Sequence, residues 1–214
     1  MICAYDKLYL EKARVALGRM LDFAVHELKY DVTIFFDTFL ASGIAKEFEH
    51  GDAGVVVGRS GVELTYEVLE RVGSMETRMK AYYSAWKSPE YWAGWALAYY
   101  QWKTALSFAE IVRYVPIIRI VALYEPYHEM DIRQFADKMN ELYHEAKGDT
   151  NLKILRKRAG YTQKELALLT GIPMRTLQQY EQRQKNINKA SVEYMYAISK
   201  VLGCEIRELM EVHP

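Results

Sequence analysis

Thr162-Gln-Lys-Glu-Leu-Ala-Leu-Leu-Thr-Gly-Ile-Pro-Met-Arg-Thr-Leu-Gln-Gln-Tyr-Glu181 decides the reading of this 214-residue chain. Two short helices joined by a tight turn are predicted, the first over Gln163–Thr170 and the second over Pro173–Gln182. Gly171 stands where a helix C-cap needs a left-handed backbone, which glycine adopts at no steric cost. Pro173 stands where the next helix begins, and there its missing N–H is harmless. Leu166, Ile172, Leu177 and Tyr180 fall where they can share one core, and Ala167 is small where two helices must cross.

Outward from that stretch, composition predicts an all-α protein. Half of the residues are hydrophobic and proline is scarce. The net charge of zero conceals a division. Residues 151–214 hold 11 lysines and arginines against 6 acidic residues, whereas residues 1–150 hold 17 against 22. A basic third joined to an acidic two-thirds predicts two modules, one of them suited to polyanions. The expected boundaries are 1–147 for a helical regulatory, oligomerisation or partner-binding domain, 148–150 for a linker, and 151–214 for the basic module. Cys3 and Cys204 have no metal-ligand pattern around them and read as reduced thiols. No secretion signal and no membrane-spanning run is expected, which points to the cytoplasm.

Along residues 1–147 the apolar spacing marks successive helices. Leu10, Ala13, Leu17, Met20, Leu21, Ala24, Val25 and Leu28 recur at three- and four-residue steps, predicting one helix over 6–29 with Asp6 as its cap. Further helices are predicted at 32–40, 44–49 and 62–72, the last capped by Ser60 with Glu63 in its first turn. The glycine-rich Gly51–Gly61 lacks the ending of a phosphate-binding P-loop and reads as a connector, with Val55–Val57 as a short extended piece. Residues 75–102 carry all four tryptophans. Tyr82, Tyr83 and Trp86 precede a helix opened by Ser88 and Pro89. On that helix Trp92, Trp95, Tyr99 and Trp102 share a face, while Tyr91 and Tyr100 point elsewhere. Core is the default reading of this belt. Tyr91, Trp92, Trp95, Tyr99 and Tyr100 are the alternative candidates for a partner or ligand surface. Helices at 108–113 and 116–123 follow, Glu125-Pro126 is a predicted break, and a regular helix is expected over 131–146. His128, Glu129, Asp131 and His144 lack the register of a metal site, so no metal or cofactor is expected. Nothing in residues 1–150 pairs a nucleophile with a base, and the chain is not expected to be an enzyme.

Residues 151–211 resemble the Cro/C1-type helix-turn-helix family, the XRE family of bacterial and phage regulators. The resemblance rests on Leu152-Lys-Ile-Leu-Arg-Lys-Arg-Ala-Gly160, Tyr161-Thr-Gln-Lys-Glu-Leu-Ala167, Gly171-Ile-Pro173, Thr176-Leu-Gln-Gln-Tyr-Glu181, and Ala197-Ile-Ser-Lys-Val-Leu-Gly203 leading to Ile206-Arg-Glu-Leu209. It implies a lambda repressor-like domain of five helices, at about 151–158, 163–170, 174–182, 189–202 and 206–211. Double-stranded DNA is the implied partner. Gln163 then meets phosphate at the start of the first motif helix, with Lys164 and Lys189 as weaker contacts. Met174, Arg175 and Gln179 face the major groove, with Thr176 and Gln178 beside them. Arg175 suits guanine and Gln179 suits adenine, whereas Met174 offers only apolar contact. Arg183, Lys185, Asn186 and Asn188 occupy the loop where backbone contacts are expected. Arg156 and Glu181 match an internal ion pair. Between Lys153 and Lys189 there are nine basic residues and two acidic ones, the right sign for a polyanion.

The implied function is sequence-specific transcription regulation, as a repressor, by a homodimer on a palindromic operator. Val201, Leu202, Ile206, Leu209 and Met210 are candidates for the dimer seam. The alternative is an antitoxin, whose N-terminal domain covers a toxin while the C-terminal domain regulates the operon. On phrases such as Tyr91-Trp-Ala-Gly-Trp-Ala-Leu-Ala-Tyr-Tyr-Gln-Trp102 and Tyr180-Glu-Gln-Arg-Gln-Lys-Asn-Ile-Asn-Lys-Ala190, the N-terminal module resembles an uncharacterised helical region found before such a helix-turn-helix in predicted regulators of anaerobic gut bacteria. That resemblance implies no activity.

Overall fold

Asp6 accepts a hydrogen bond from the Leu8 N–H and starts helix α1, Lys7–Asp22, in the computed structural model, which describes residues 3–74, 79, 81 and 87–211. Every regular element among the described residues is a helix, with no strand among them. They divide into two compact units, Met1–Lys147 and Gly148–Pro214.

In the first unit α1 runs into a π-helical turn, Phe23–Glu27. The helices α2 (Val32–Ala41), α3 (Ile44–Glu49), α4 (Ala53–Val56) and α5 (Gly61–Arg71) follow. After them come α6 (Pro89–Thr104), α7 (Phe108–Tyr114), α8 (Ile117–Val121), α9 (Tyr124–Tyr127) and α10 (Ile132–Lys147). The centre of the unit is the packing of α1 against α6 and α5. Glycines allow this closeness. A methyl group at Gly94 would meet the Leu17 carbonyl oxygen at 2.6 Å, and one at Gly61 would meet the Ala16 carbonyl oxygen at 2.5 Å. Around this crossing lie Leu17, Met20, Leu21, Phe36, Phe39, Phe48, Leu97 and Phe108, all buried in one continuous core. Edge-to-face pairs such as Phe36–Phe108 and Trp92–Phe135 set its geometry.

The 6–29 helix does not keep one register. The Leu28 N–H reaches back five residues to the Phe23 carbonyl, and the extra residue shifts the helical phase. Val25 and Leu28 are only half-buried as a result, while Phe23, whose N–H still reaches the Arg19 carbonyl in α register, is buried. Val55–Val57 is not extended. Asp52 accepts from the Gly54 and Val55 amides and winds α4, which buries Val55 and Val56. Glu125-Pro126 does not break the chain but lies in α9, in its first turn, where proline is tolerated. Ser60 and Glu63 cap α5 reciprocally.

The aromatic belt does not form a single surface. Tyr91, Trp92 and Tyr100 are buried, the last completely, because α6 is packed on opposite sides. Tyr100 Oη donates to Asn140 Oδ1 at 2.9 Å, and burial holds its hydroxyl above the usual phenol range. Trp95 and Tyr99 are half-buried, with the Arg14 guanidinium 3.3 Å from the Trp95 ring centre. Tyr82, Tyr83 and Trp86 lie outside the described residues. His128 stacks on Tyr124, and Asp131 is bound by Arg133. Among the described residues no group of three His, Cys, Asp or Glu is placed to hold a metal ion. No helix among them is long and apolar enough to cross a membrane.

The second unit contains α11 (Asn151–Arg158), α12 (Gln163–Thr170), α13 (Met174–Glu181), a 3-10 turn (Ile187–Lys189), α14 (Val192–Leu202) and α15 (Ile206–Leu209). Its separate core holds Leu152, Leu166, Ile172, Leu177, Tyr180, Ile187, Met195, Ile198 and Leu209. The fourth expected helix starts later than 189, because the 3-10 turn precedes it and Ser191 caps α14 at Val192. Gly148–Thr150, expected as a linker, is tied into this unit. Asp149 binds Lys153 and Lys157, and Thr150 is the buried cap of α11.

Candidate nucleic-acid interface

Thr162 and Glu165 form a capping box at the start of α12: each backbone N–H is bonded by the other's side chain. Those bonds hold the Glu165 carboxyl below its ordinary range. Gly171, at φ +70°, turns the chain, and Ile172 anchors the turn in the core. Leu177 and Tyr180 then pin α13 from below. The helical period places Arg175, Gln178, Gln179 and Gln182 on the opposite stripe. Arg175 is exposed, Met174 is 44% exposed, and Thr176, Gln178 and Gln179 are half-buried.

Beneath this stripe a buried polar network joins three helices. Arg156 donates to both carboxylate oxygens of Glu181, from Nε at 2.5 Å and from Nη2 at 2.9 Å, and its Nη1 donates to the Tyr161 carbonyl. The ion pair pushes the Arg156 pKa up. Gln163 Nε2 donates to Glu181 Oε2 at 2.7 Å, and Gln178 Nε2 donates to Gln163 Oε1 at 3.3 Å. One carboxylate therefore fixes α11 to the end of α13, and the two glutamines fix the start of α12 to the middle of α13.

The residues expected to meet DNA fall into two sets. Lys164, Arg175, Thr176, Gln179 and Lys185 make no side-chain hydrogen bond among the described residues, and Lys164, Arg175 and Lys185 are exposed. Gln163 and Gln178 are engaged with each other, so they support the stripe before they contact anything else. Arg183 is not a free cation. Its Nη1 donates to the Gly148 carbonyl and its Nη2 to Glu211 Oε2. Asn188 is paired with the Glu211 backbone in both directions, and Asn186 caps the 3-10 turn through the Asn188 amide. The charge count along 153–189 shrinks in the same way. Lys153, Arg156, Lys157 and Arg183 have carboxylate partners, which leaves Arg158, Lys164, Arg175, Lys185 and Lys189. Sequence reading missed Glu211 and Asn151, whose partners only the folded chain brings near, and Asp149, whose partners Lys153 and Lys157 follow it at helical spacing.

A trihelical support beneath a short exposed helix carrying free Arg and Gln defines a helix-turn-helix DNA-binding module. Residues 152–209 match the family model described as helix-turn-helix, and this unit is a domain of the Cro/C1 type, the XRE family. A DNA-binding transcription regulator is the class that this domain supports. The match leaves the N-terminal unit outside it and lends no support to the resemblance drawn for that region. No curated protein and no solved structure matches the chain.

Proposed function

We propose that the protein is a sequence-specific repressor that binds a palindromic operator as a homodimer. Arg175 and Gln179 read base edges in the major groove, with Met174 and Thr176 beside them. Lys164, Lys185 and Lys189 hold phosphates. The observation that carries this reading is the state of α13: its outward Arg175 and Gln179, one turn apart, are free of side-chain partners, while the residues behind them are locked. The seam for a second copy is narrower than the sequence suggests. Leu209 belongs to the domain's own core and Val201 and Leu202 are half-buried against it, so Ile206 and Met210 are the exposed members.

Arg175→Ala is expected to weaken binding by about 1–3 kcal/mol on a selected duplex and to relax discrimination at one base pair. Titration of a panel of base-substituted duplexes measures both. Equal loss on every member of the panel would remove Arg175 from base readout. Lys164→Ala is expected to act differently. It should weaken all sequences alike and reduce the slope of log K against log salt by about 1. An unchanged slope excludes Lys164 as a phosphate contact.

Of the aromatic residues that could serve the antitoxin reading, Tyr91, Trp92 and Tyr100 are buried, whereas Trp95 and Tyr99 stay partly exposed. The acidity of residues 1–150 and the C-terminal place of the DNA-binding unit support it less directly than the free stripe of α13 supports the repressor reading, which stands first.

A further inference from the structure

The loop after α13 is held from the far end of the chain. Glu211 Oε1 accepts from the Asn151 amide at 2.7 Å, and its Oε2 accepts from Arg183 Nη2 at 3.3 Å. The Glu211 carbonyl accepts from Asn188 Nδ2 at 2.7 Å, and the Glu211 amide donates to Asn188 Oδ1 at 2.9 Å. Asn151 Nδ2 adds a bond to the Met210 carbonyl at 2.7 Å. Arg183 also donates to the Gly148 carbonyl at 2.8 Å, from a left-handed backbone at φ +55° that non-glycine residues seldom adopt. Its Nε is buried without a partner. A strained backbone and an unmet donor persist only where the surroundings over-determine them. Between the two clasped residues lies Lys185, and directly after Asn188 lies Lys189, both exposed and without an ion-pair partner among the described residues.

We infer that Arg183, Asn188 and Glu211 form a clasp whose task is to position Lys185 and Lys189 against the DNA backbone. Arg183 and Asn188 are positioning residues here, and neither is a phosphate ligand. The inference depends on the proposed phosphate contacts of those two lysines. A fixed loop presents its cations without losing conformational entropy on binding, so the clasp contributes to affinity without touching DNA.

A mutant cycle on the full chain tests this. The probe is a duplex enriched by the protein from a random-sequence library, with an unselected duplex as control. Arg183→Ala and Glu211→Ala are each expected to weaken binding, by roughly tenfold, and hydrogen exchange at residues 182–190 is expected to quicken. In a Lys185→Ala/Lys189→Ala background the same two changes should cost less than about threefold, the non-additivity of residues acting through one another. Asn188→Ala, which changes no charge, carries the same cycle if either of the others fails to fold. Additive losses would overturn the clasp while leaving the lysines as contacts. Tighter binding by Glu211→Ala would overturn it too, because a carboxylate acting only by its charge repels phosphate. If the lysine pair can be removed without loss, both the clasp and the phosphate reading fall.

Discussion

Gly94→Ala is expected to lower the melting temperature of the N-terminal unit by about 10 °C or more. The added methyl would lie 2.6 Å from the Leu17 carbonyl oxygen and 2.9 Å from the Gly18 Cα. Both are backbone atoms of α1, so no side chain can swing aside. Leu17, Ala93 and Leu97 around the contact are fully buried, which leaves α1 nowhere to retreat. Overpacking of this kind costs about 1–3 kcal/mol when side chains absorb it. Here two helices must separate, and roughly 3 kcal/mol or more is expected, with a melting shift of a few degrees per kcal/mol at this size. Gly43→Ala is the control. It has φ +80° and open space around it, so only backbone strain of about 1–2 kcal/mol applies. All four tryptophans lie in residues 86–102, so tryptophan fluorescence follows this unit alone while circular dichroism follows both. A Gly94→Ala melt within about 2 °C of the parent would show that α1 and α6 do not meet there.

That glycine marks where sequence reading stops. Periodicity correctly puts Leu10, Ala13, Leu17, Met20, Leu21 and Ala24 on one buried face, because a helix's inward stripe is a local property. A glycine inside Tyr91–Trp102, read locally, only weakens a helix. Its use depends on α1, more than seventy residues earlier. The same limit applies to the aromatic belt. Three- and four-residue spacing says which side chains share a face, but not what lies against that face.

The DNA-binding unit divides along the same line. The outward placement of Arg175 and Gln179 was legible, since their stripe follows from the buried Leu177 and Tyr180 on the same helix. For Arg183, Asn188 and Gln163 the internal partners were not legible, because Gly148, Glu211 and Glu181 stand 18 to 35 residues away in the chain. A polar residue in a basic loop looks like a ligand for phosphate until its internal partner is known.

Glu181→Ala is expected to cost the C-terminal unit about 3–5 kcal/mol, the range for removing one partner of a buried pair. The Glu181 side chain is 1% exposed and that of Arg156 is 10% exposed. Without the carboxylate, Arg156 keeps only the Tyr161 carbonyl, and Gln163 loses its acceptor. A domain of this size has a total stability of roughly 3–10 kcal/mol, so the variant should be largely unfolded near 37 °C. Circular dichroism should show the loss, with the tryptophan-monitored transition of the N-terminal unit as an internal reference. Replacing both charges by methionine separates stability from function. An apolar pair in the same space is expected to restore the melt, since a buried ion pair contributes little net stability. DNA affinity should not return with it, because Gln163 still lacks the carboxylate that orients it and, through it, Gln178. Recovery of both would mean that packing alone sets α12 against α13. A single Glu181→Ala variant that melts within 1 kcal/mol of the parent would mean that water reaches Arg156 after all.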